Sequence, residues 1–136
     1  MGFKFDLGPL NRAIEAEQKR MQTRKRQTAE DVKDYWIGEI KDLTPIDEGH
    51  LTESITGRVE QTPDSTKVIA YVPSNHQAAS YAIKMHEGIY NLGKKSRSKQ
   101  ARVGKTVGAH YITRPLDYGR GKIREIIRDG LEIESK

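Results

Sequence analysis

Leu10, Ile14, Met21, Thr28, Val32, Trp36, Ile40 and Leu43 recur at spacings of mostly three, four and seven residues, as positions on one helix face do. Uninterrupted, the pattern predicts a helix of about 35 residues, roughly 50 Å long. The stripe thins between Glu15 and Ala29, where Lys19, Arg20, Arg24, Lys25 and Arg26 crowd together. A continuous rod and a helix that breaks or projects there are the two alternatives. Ahead of it, Phe3, Phe5 and Leu7 alternate with polar residues before Gly8-Pro9. That reads as an extended N-terminal arm over about residues 1–9, then a helix with proline in its first turn. Pro45 disfavours helical geometry at Thr44, the expected helix end. Asp47 then caps a short helix from Glu48 to Ser54, with Leu51 and Ile55 on one face. Gly49 either permits a close chain crossing or is a weak helix residue, costing roughly 1 kcal/mol relative to alanine.

Ile55 to Gln61 and Lys67 to Pro73 alternate polar and apolar around Thr62-Pro63-Asp64-Ser65, which predicts a β-hairpin. Val68, Ile69 and Tyr71 are residues that strands favour. Ala78 to Glu87 predicts a helix with Tyr81, Ala82, Met85 and His86 on a shared face and Gly88 as its stop. Asn91 to Val107 holds six basic residues, no acidic one, and only Leu92, Ala101, Val103 and Val107 as apolar material. It predicts an exposed basic loop, or a hairpin with a mobile tip, over about residues 91–107, from which Lys94 to Lys105 can be removed with the fold left intact. Strand character resumes from Ala109 to Ile112. Arg114-Pro115 then leads into a last helix with Leu116, Ile123, Ile126, Ile127, Leu131 and Ile133 on its apolar side, weakened by Gly119, Gly121 and Gly130. The sum is an α+β fold: a long N-terminal helix, a small antiparallel β-sheet with a hairpin, short middle helices and a C-terminal helix.

With 136 residues, the chain suits one domain burying roughly two thirds of its unfolded surface. Hydrophobic residues make up 35% and charged residues 32%, a balance that suits a small domain with protruding parts better than a compact enzyme. The formal charge of +5 is sectional: 11 basic and 13 acidic residues precede Val68, and 13 basic and 6 acidic residues follow from there. Such polarity favours contact with nucleic acid or an acidic protein surface. Glu30 to Glu48 holds seven acidic residues against Lys33 and Lys41. They are either a solvated face or the acidic end that meets the basic middle of another subunit's helix. The lack of cysteine excludes disulfides and thiolate chemistry. No apolar run approaches the roughly 18 residues that span a bilayer. The start lacks a signal peptide's apolar region and a myristoylation signal's Ser or Thr at position 6, so synthesis in the cytoplasm is the expectation.

His86-Glu87 begins like a zincin helix, but Tyr90 stands where the second histidine belongs, and His50, His76 and His110 are scattered. His86 therefore reads as a helix-face residue bonded to the next turn. Pro63-Asp64 and Glu39-Ile40-Lys41 occur in the wrong order for a Pro-Asp…Glu-x-Lys nuclease. No nucleophile elbow, phosphate-binding loop or dinucleotide fingerprint is present, so the expectation is a protein without catalysis, metal or cofactor. Lys94, Lys95, Arg97, Lys99, Arg102 and Lys105 form an electrostatic footprint suited to phosphate. Tyr90 is the only aromatic beside them, so stacking on single-stranded bases is not suggested. Non-specific backbone contact and a solvated or protein-facing loop are the alternatives.

Three motifs occur in a set order: a TP-x-D-x-G-x-L-x-x-S corner carried by Pro45, Asp47, Gly49, Leu51 and Ser54; then Tyr81, Ala82, His86, Glu87 and Gly88; then Tyr111, Arg114, Pro115 and Leu116. Over Val32 to Leu131 this order resembles the small head-tail joining or tail-completion proteins of long-tailed bacteriophages, the gene-product-ten-like tail-component family, also labelled minor capsid or neck protein. The chain departs from that family in having no aromatic between Glu87 and Gly88, and in its long basic segment. The resemblance implies a structural virion protein that forms a ring, a hexamer, between the DNA-filled head and the tail, with adjacent connector and tail proteins as partners. The hairpin's open edge is then completed by a neighbouring subunit. The basic segment faces DNA in the channel or an acidic surface on an adjacent ring. The alternative is a non-catalytic nucleic-acid-binding module.

Overall fold

A computed structural model describes Gly2, Lys4, Asp6 and residues 8–46, 50–88 and 92–132. The roles expected of Phe3, Phe5, Leu7, Asp47, Glu48, Gly49, Tyr90 and Ile133 fall outside the described residues. Helix α1 runs unbroken from Gly8 to Leu43, 36 residues, which makes a rod of roughly 54 Å. Asp6 begins it by accepting a 2.9 Å bond from the Gly8 backbone N–H. No Gly or Pro lies between Glu15 and Ala29. Ion pairs one turn apart, Glu17 with Arg20 at 3.0 Å and Glu30 with Lys33 at 2.6 Å, support the helix weakly through solvent. Both alternatives for this helix therefore hold in part: it is continuous, and it projects, since every side chain from Pro9 to Met21 is exposed.

The second half of α1 is the platform for everything else. After the corner at Pro45 come α2 (His50–Ser54), β1 (Thr56–Thr62), β2 (Ser65–Tyr71), α3 (Ala79–Glu87), α4 (Lys94–Val103), α5 (Arg114–Tyr118) and α6 (Arg120–Leu131). β1 and β2 pair antiparallel from Thr56↔Tyr71 to Thr62↔Ser65, leaving Pro63-Asp64 as the turn. The sheet lies flat against α1 because β1 carries no side chain at Gly57, where a Cβ would come 2.7 Å from Lys33 Cγ. Gln61 Nε2 donates to Gln22 Oε1 at 2.7 Å and ties the hairpin's tip to the point where α1 leaves the body.

α6 runs back along α1 in the opposite direction, with Gly119 against Tyr35 and Gly130 against Thr28. A Cβ at Gly130 would collide with the Thr28 hydroxyl, so this glycine is required by the helix–helix approach. The core sits at the C-terminal end of α1, where Ile40 and Leu43 meet Leu51, Ile55, Ala78, Ala82 and Tyr111. Tyr111 is fully buried, and its hydroxyl donates to Ala82 O at 2.8 Å. Among the described residues, no helix is long and apolar enough to cross a membrane.

Three expectations are corrected. The basic loop over 91–107 is mostly helix α4, started after extended Gly93 and stopped by Gly104 in the left-handed region at φ 69°. Counting apolar residues missed it because its inward face is built from Ser96, Lys99 and Val103, at i, i+3 and i+7. Ala109 to Ile112 is not a strand but a series of turns, because Gly108 and His110 take positive φ of 119° and 61°. That path swings Tyr111 into the core. The last helix is two helices, broken at Gly119, whose N–H bonds back to Pro115 O at 2.9 Å.

Candidate assembly and nucleic-acid interface

The six basic residues from Lys94 to Lys105 do not act as one group. α4 docks across the end of α1 through Ser96, whose hydroxyl accepts from Ile46 N at 2.8 Å and donates to Ile46 O at 3.3 Å. Lys99 is 5% exposed. Its ammonium donates to Lys41 O and Thr44 O, the latter at 2.8 Å. These are carbonyls at the C-terminus of α1, where orphan acceptors and the negative end of the helix dipole favour a cation. Burial pushes the Lys99 ammonium below the usual lysine range; Arg102 adds to this and Asp42 opposes it.

Lys105 is also engaged, donating to Glu39 Oε2 at 2.7 Å while lying 4.8 Å above the Tyr118 ring. Tyr118 donates to the same carboxylate oxygen at 2.6 Å. Burial works to raise the Glu39 pKa, but the bonds from Lys105 and Tyr118 outweigh it and hold the carboxyl below its ordinary value. Burial and then the Glu39 bond push the Tyr118 hydroxyl well above its ordinary value. This cluster clasps α1, the α4–α5 connection and α5 together.

What remains for a partner is Lys94, Lys95, Arg97 and Arg102, all exposed; Lys94 and Arg97 lie opposite the inward face of Ser96, Lys99 and Val103, and Lys95 and Arg102 flank it. Arg97 also donates to Leu92 O at 2.9 Å. Four cations spread over the outward half of a docked helix can meet phosphates or carboxylates; they offer no base-reading geometry. The acidic stretch of α1 is correspondingly less available than its charge suggests, since Glu39 serves Lys105 and Glu30 serves Lys33.

One residue of each motif, Leu51, Ala82 and Tyr111, lies in the core, while Glu87 and Leu116 are exposed. Pro45 and Leu51 are buried, and the Ser54 hydroxyl donates to Leu51 O at 2.6 Å. His86 stands between His110 and Tyr111, with ring centroids 5.4 and 5.3 Å away, and its Nε2 lies 3.4 Å from Thr113 Oγ1. Burial, and next the neighbouring His110, lower the His86 pKa. Among the described residues no three His, Asp or Glu side chains converge as metal ligands would. Gly88 is extended, at φ −74° and ψ 155°, and turns the chain out of α3. Arg114 Nη1 donates to Thr106 O at 3.0 Å, and Pro115 is fully buried at the start of α5.

Comparison with known proteins returned nothing. No family model, curated protein or solved structure matches the chain. The remaining functional surfaces are therefore read from geometry: the bare first half of α1, and the two free edges of the hairpin, the only paired strands among the described residues. The signal for the first was present in the sequence, because Leu10, Ile14 and Met21 sit on the same periodic face as the buried residues that follow. Periodicity alone cannot say which part of a stripe is covered by its own chain.

Proposed function

We propose that the chain is a non-catalytic structural subunit of the neck of a long-tailed phage, assembling as a ring between the DNA-filled head and the tail. The observation that carries the reading is the ordered set of three motifs, each of which contributes one residue, Leu51, Ala82 and Tyr111, to the core at the end of α1. A projecting rod and an open-edged two-stranded sheet supply surfaces that neighbouring subunits would complete. Adjacent connector and tail rings are the partners, and the junction of the virion is the location. Electron microscopy of a lysate from phage lacking this gene tests it. Filled heads and separate tails are expected. Normal infectious particles would refute the assignment.

The outward face of α4 favours a second reading, a module that grips duplex DNA through Lys94, Lys95, Arg97 and Arg102. Binding of this kind weakens with salt at a slope of about −0.9 per phosphate contacted. Titration of a fluorescent duplex at about 50 mM salt tests it. No binding there removes this reading and leaves the face to an acidic protein.

A further inference from the structure

The first half of α1 leaves bare an apolar surface that its second half buries. Leu10, Ile14 and Met21 are 53%, 46% and 37% exposed. At the α-helical repeat they fall within a strip about 40° wide. The same strip continues into Thr28, Val32 and Tyr35, which lie under α6 and the hairpin. A solitary helical segment of this length is marginal in water, so a covering surface contributes to its order. At the foot of the bare segment is a groove of 330 Å³. Its floor is Ala29 and Val32 of α1, one wall is Val68 of β2, and the other is Ile127 and Leu131 of α6. Ile127 is still 38% exposed.

We propose that this groove receives the Leu10–Met21 face of α1 from a second copy of the chain. A subunit cannot fill its own groove, because Ile14 and Ala29 ride on the same unbroken helix, roughly 22 Å apart along its axis. The groove is too small for a whole helix but suits the ends of two aliphatic side chains. Leu10 and Ile14, one turn apart, present such a pair. Charge also favours this seat. Glu17 flanks the strip three residues after Ile14, while Lys25 lines the groove together with Gln22, Thr28, Asp64, Ser65 and Thr66, and exposed Arg124 and Arg128 stand one turn before Ile127 and Leu131 on α6. The arm and the groove are different surfaces, so the contact is head to tail and generates a ring wherever the rotation closes. As a contact within a neck ring it rests on the reading above; as self-association it does not.

The chain has no cysteine, so single thiols can be placed at will. Ile14→Cys and Ile127→Cys are prepared separately, both at exposed positions whose unfolding midpoints serve as controls, and treated with a short bismaleimide alone, mixed, and combined in one chain. The mixture is expected to give a covalent dimer and no more, and the double variant a ladder or closed ring. Cross-linking of Ile14→Cys alone as efficiently as the mixture overturns the proposal in favour of arm against arm. No cross-link in the mixture at concentrations up to about 1 mM overturns it outright. Cross-linking together with normal particles from the gene-deleted phage leaves the contact standing and removes only the neck location. Separated heads and tails without cross-linking do the reverse.

Discussion

Replacing Lys99 separates a helix anchored by a buried ammonium from a loop that happens to be basic. Lys99→Ala removes the donor to Lys41 O and Thr44 O and leaves Thr44, 0% exposed, at an uncapped helix end. Hydrogen bonds from a charged donor contribute about 1.5–3 kcal/mol net. Each methylene of the stem that leaves the interior costs a further ~0.8 kcal/mol. Against these stands the recovered cost of having desolvated an ammonium. The balance predicts a loss of roughly 3 kcal/mol for Lys99→Ala, and roughly 1 kcal/mol for Lys99→Met, which keeps the stem. In a domain of this size, roughly 3 kcal/mol lowers the thermal midpoint by about 12 °C. Lys95→Ala, on the exposed side of the same helix, is expected to stay within about 0.5 kcal/mol of the parent. Urea unfolding followed by the single tryptophan, Trp36, reads all three, since its indole N–H donates to Ile112 O at 2.9 Å within the core region. Equal midpoints for Lys99→Ala and Lys95→Ala would refute the capping role. By the same argument, deleting residues 94–105 is expected to unfold the chain, contrary to what a dispensable loop predicts.

Other perturbations probe different contacts. Gly130→Ala raises helix propensity by about 1 kcal/mol, yet it is expected to destabilise by about 1–3 kcal/mol because the new methyl meets the Thr28 hydroxyl; a higher midpoint in calorimetry would contradict the close approach of α6. His86 titrates below its ordinary value when folded, so the unfolded chain binds more protons as pH falls through about 6.5. Stability is therefore expected to be fully present above that pH and to decline from there towards pH 5, with a shallower decline in His86→Gln; identical slopes would exclude the histidine as the cause. Changing Lys94, Lys95, Arg97 and Arg102 together to Glu should leave the circular dichroism and midpoint close to the parent while abolishing any retention on heparin. A collapse of the fold in that variant would mean that the outward face of α4 carries structural contacts beyond those of Ser96 and Lys99.

The sequence by itself determined the elements whose signal is local. A periodic stripe and strong helix formers specified α1, and alternation around Pro63-Asp64 specified the hairpin. Pro45, Gly88 and Pro115 each marked a boundary that the backbone keeps, because their restrictions or freedoms act on the residue itself and its neighbours. Tertiary structure decided the rest. Ser96 and Lys99 become interior residues only because the end of α1 presents an open backbone N–H and carbonyls to them. His110 is held at positive φ because its N–H is fixed by His86 O at 2.6 Å and Tyr111 must reach Ala82. Lys105 joins the clasp rather than the basic surface because Glu39, sixty-six positions away, lies beside it. Whether a polar stem is buried or a stripe left bare depends on which distant segment arrives against it, and local spacing carries no record of that arrival.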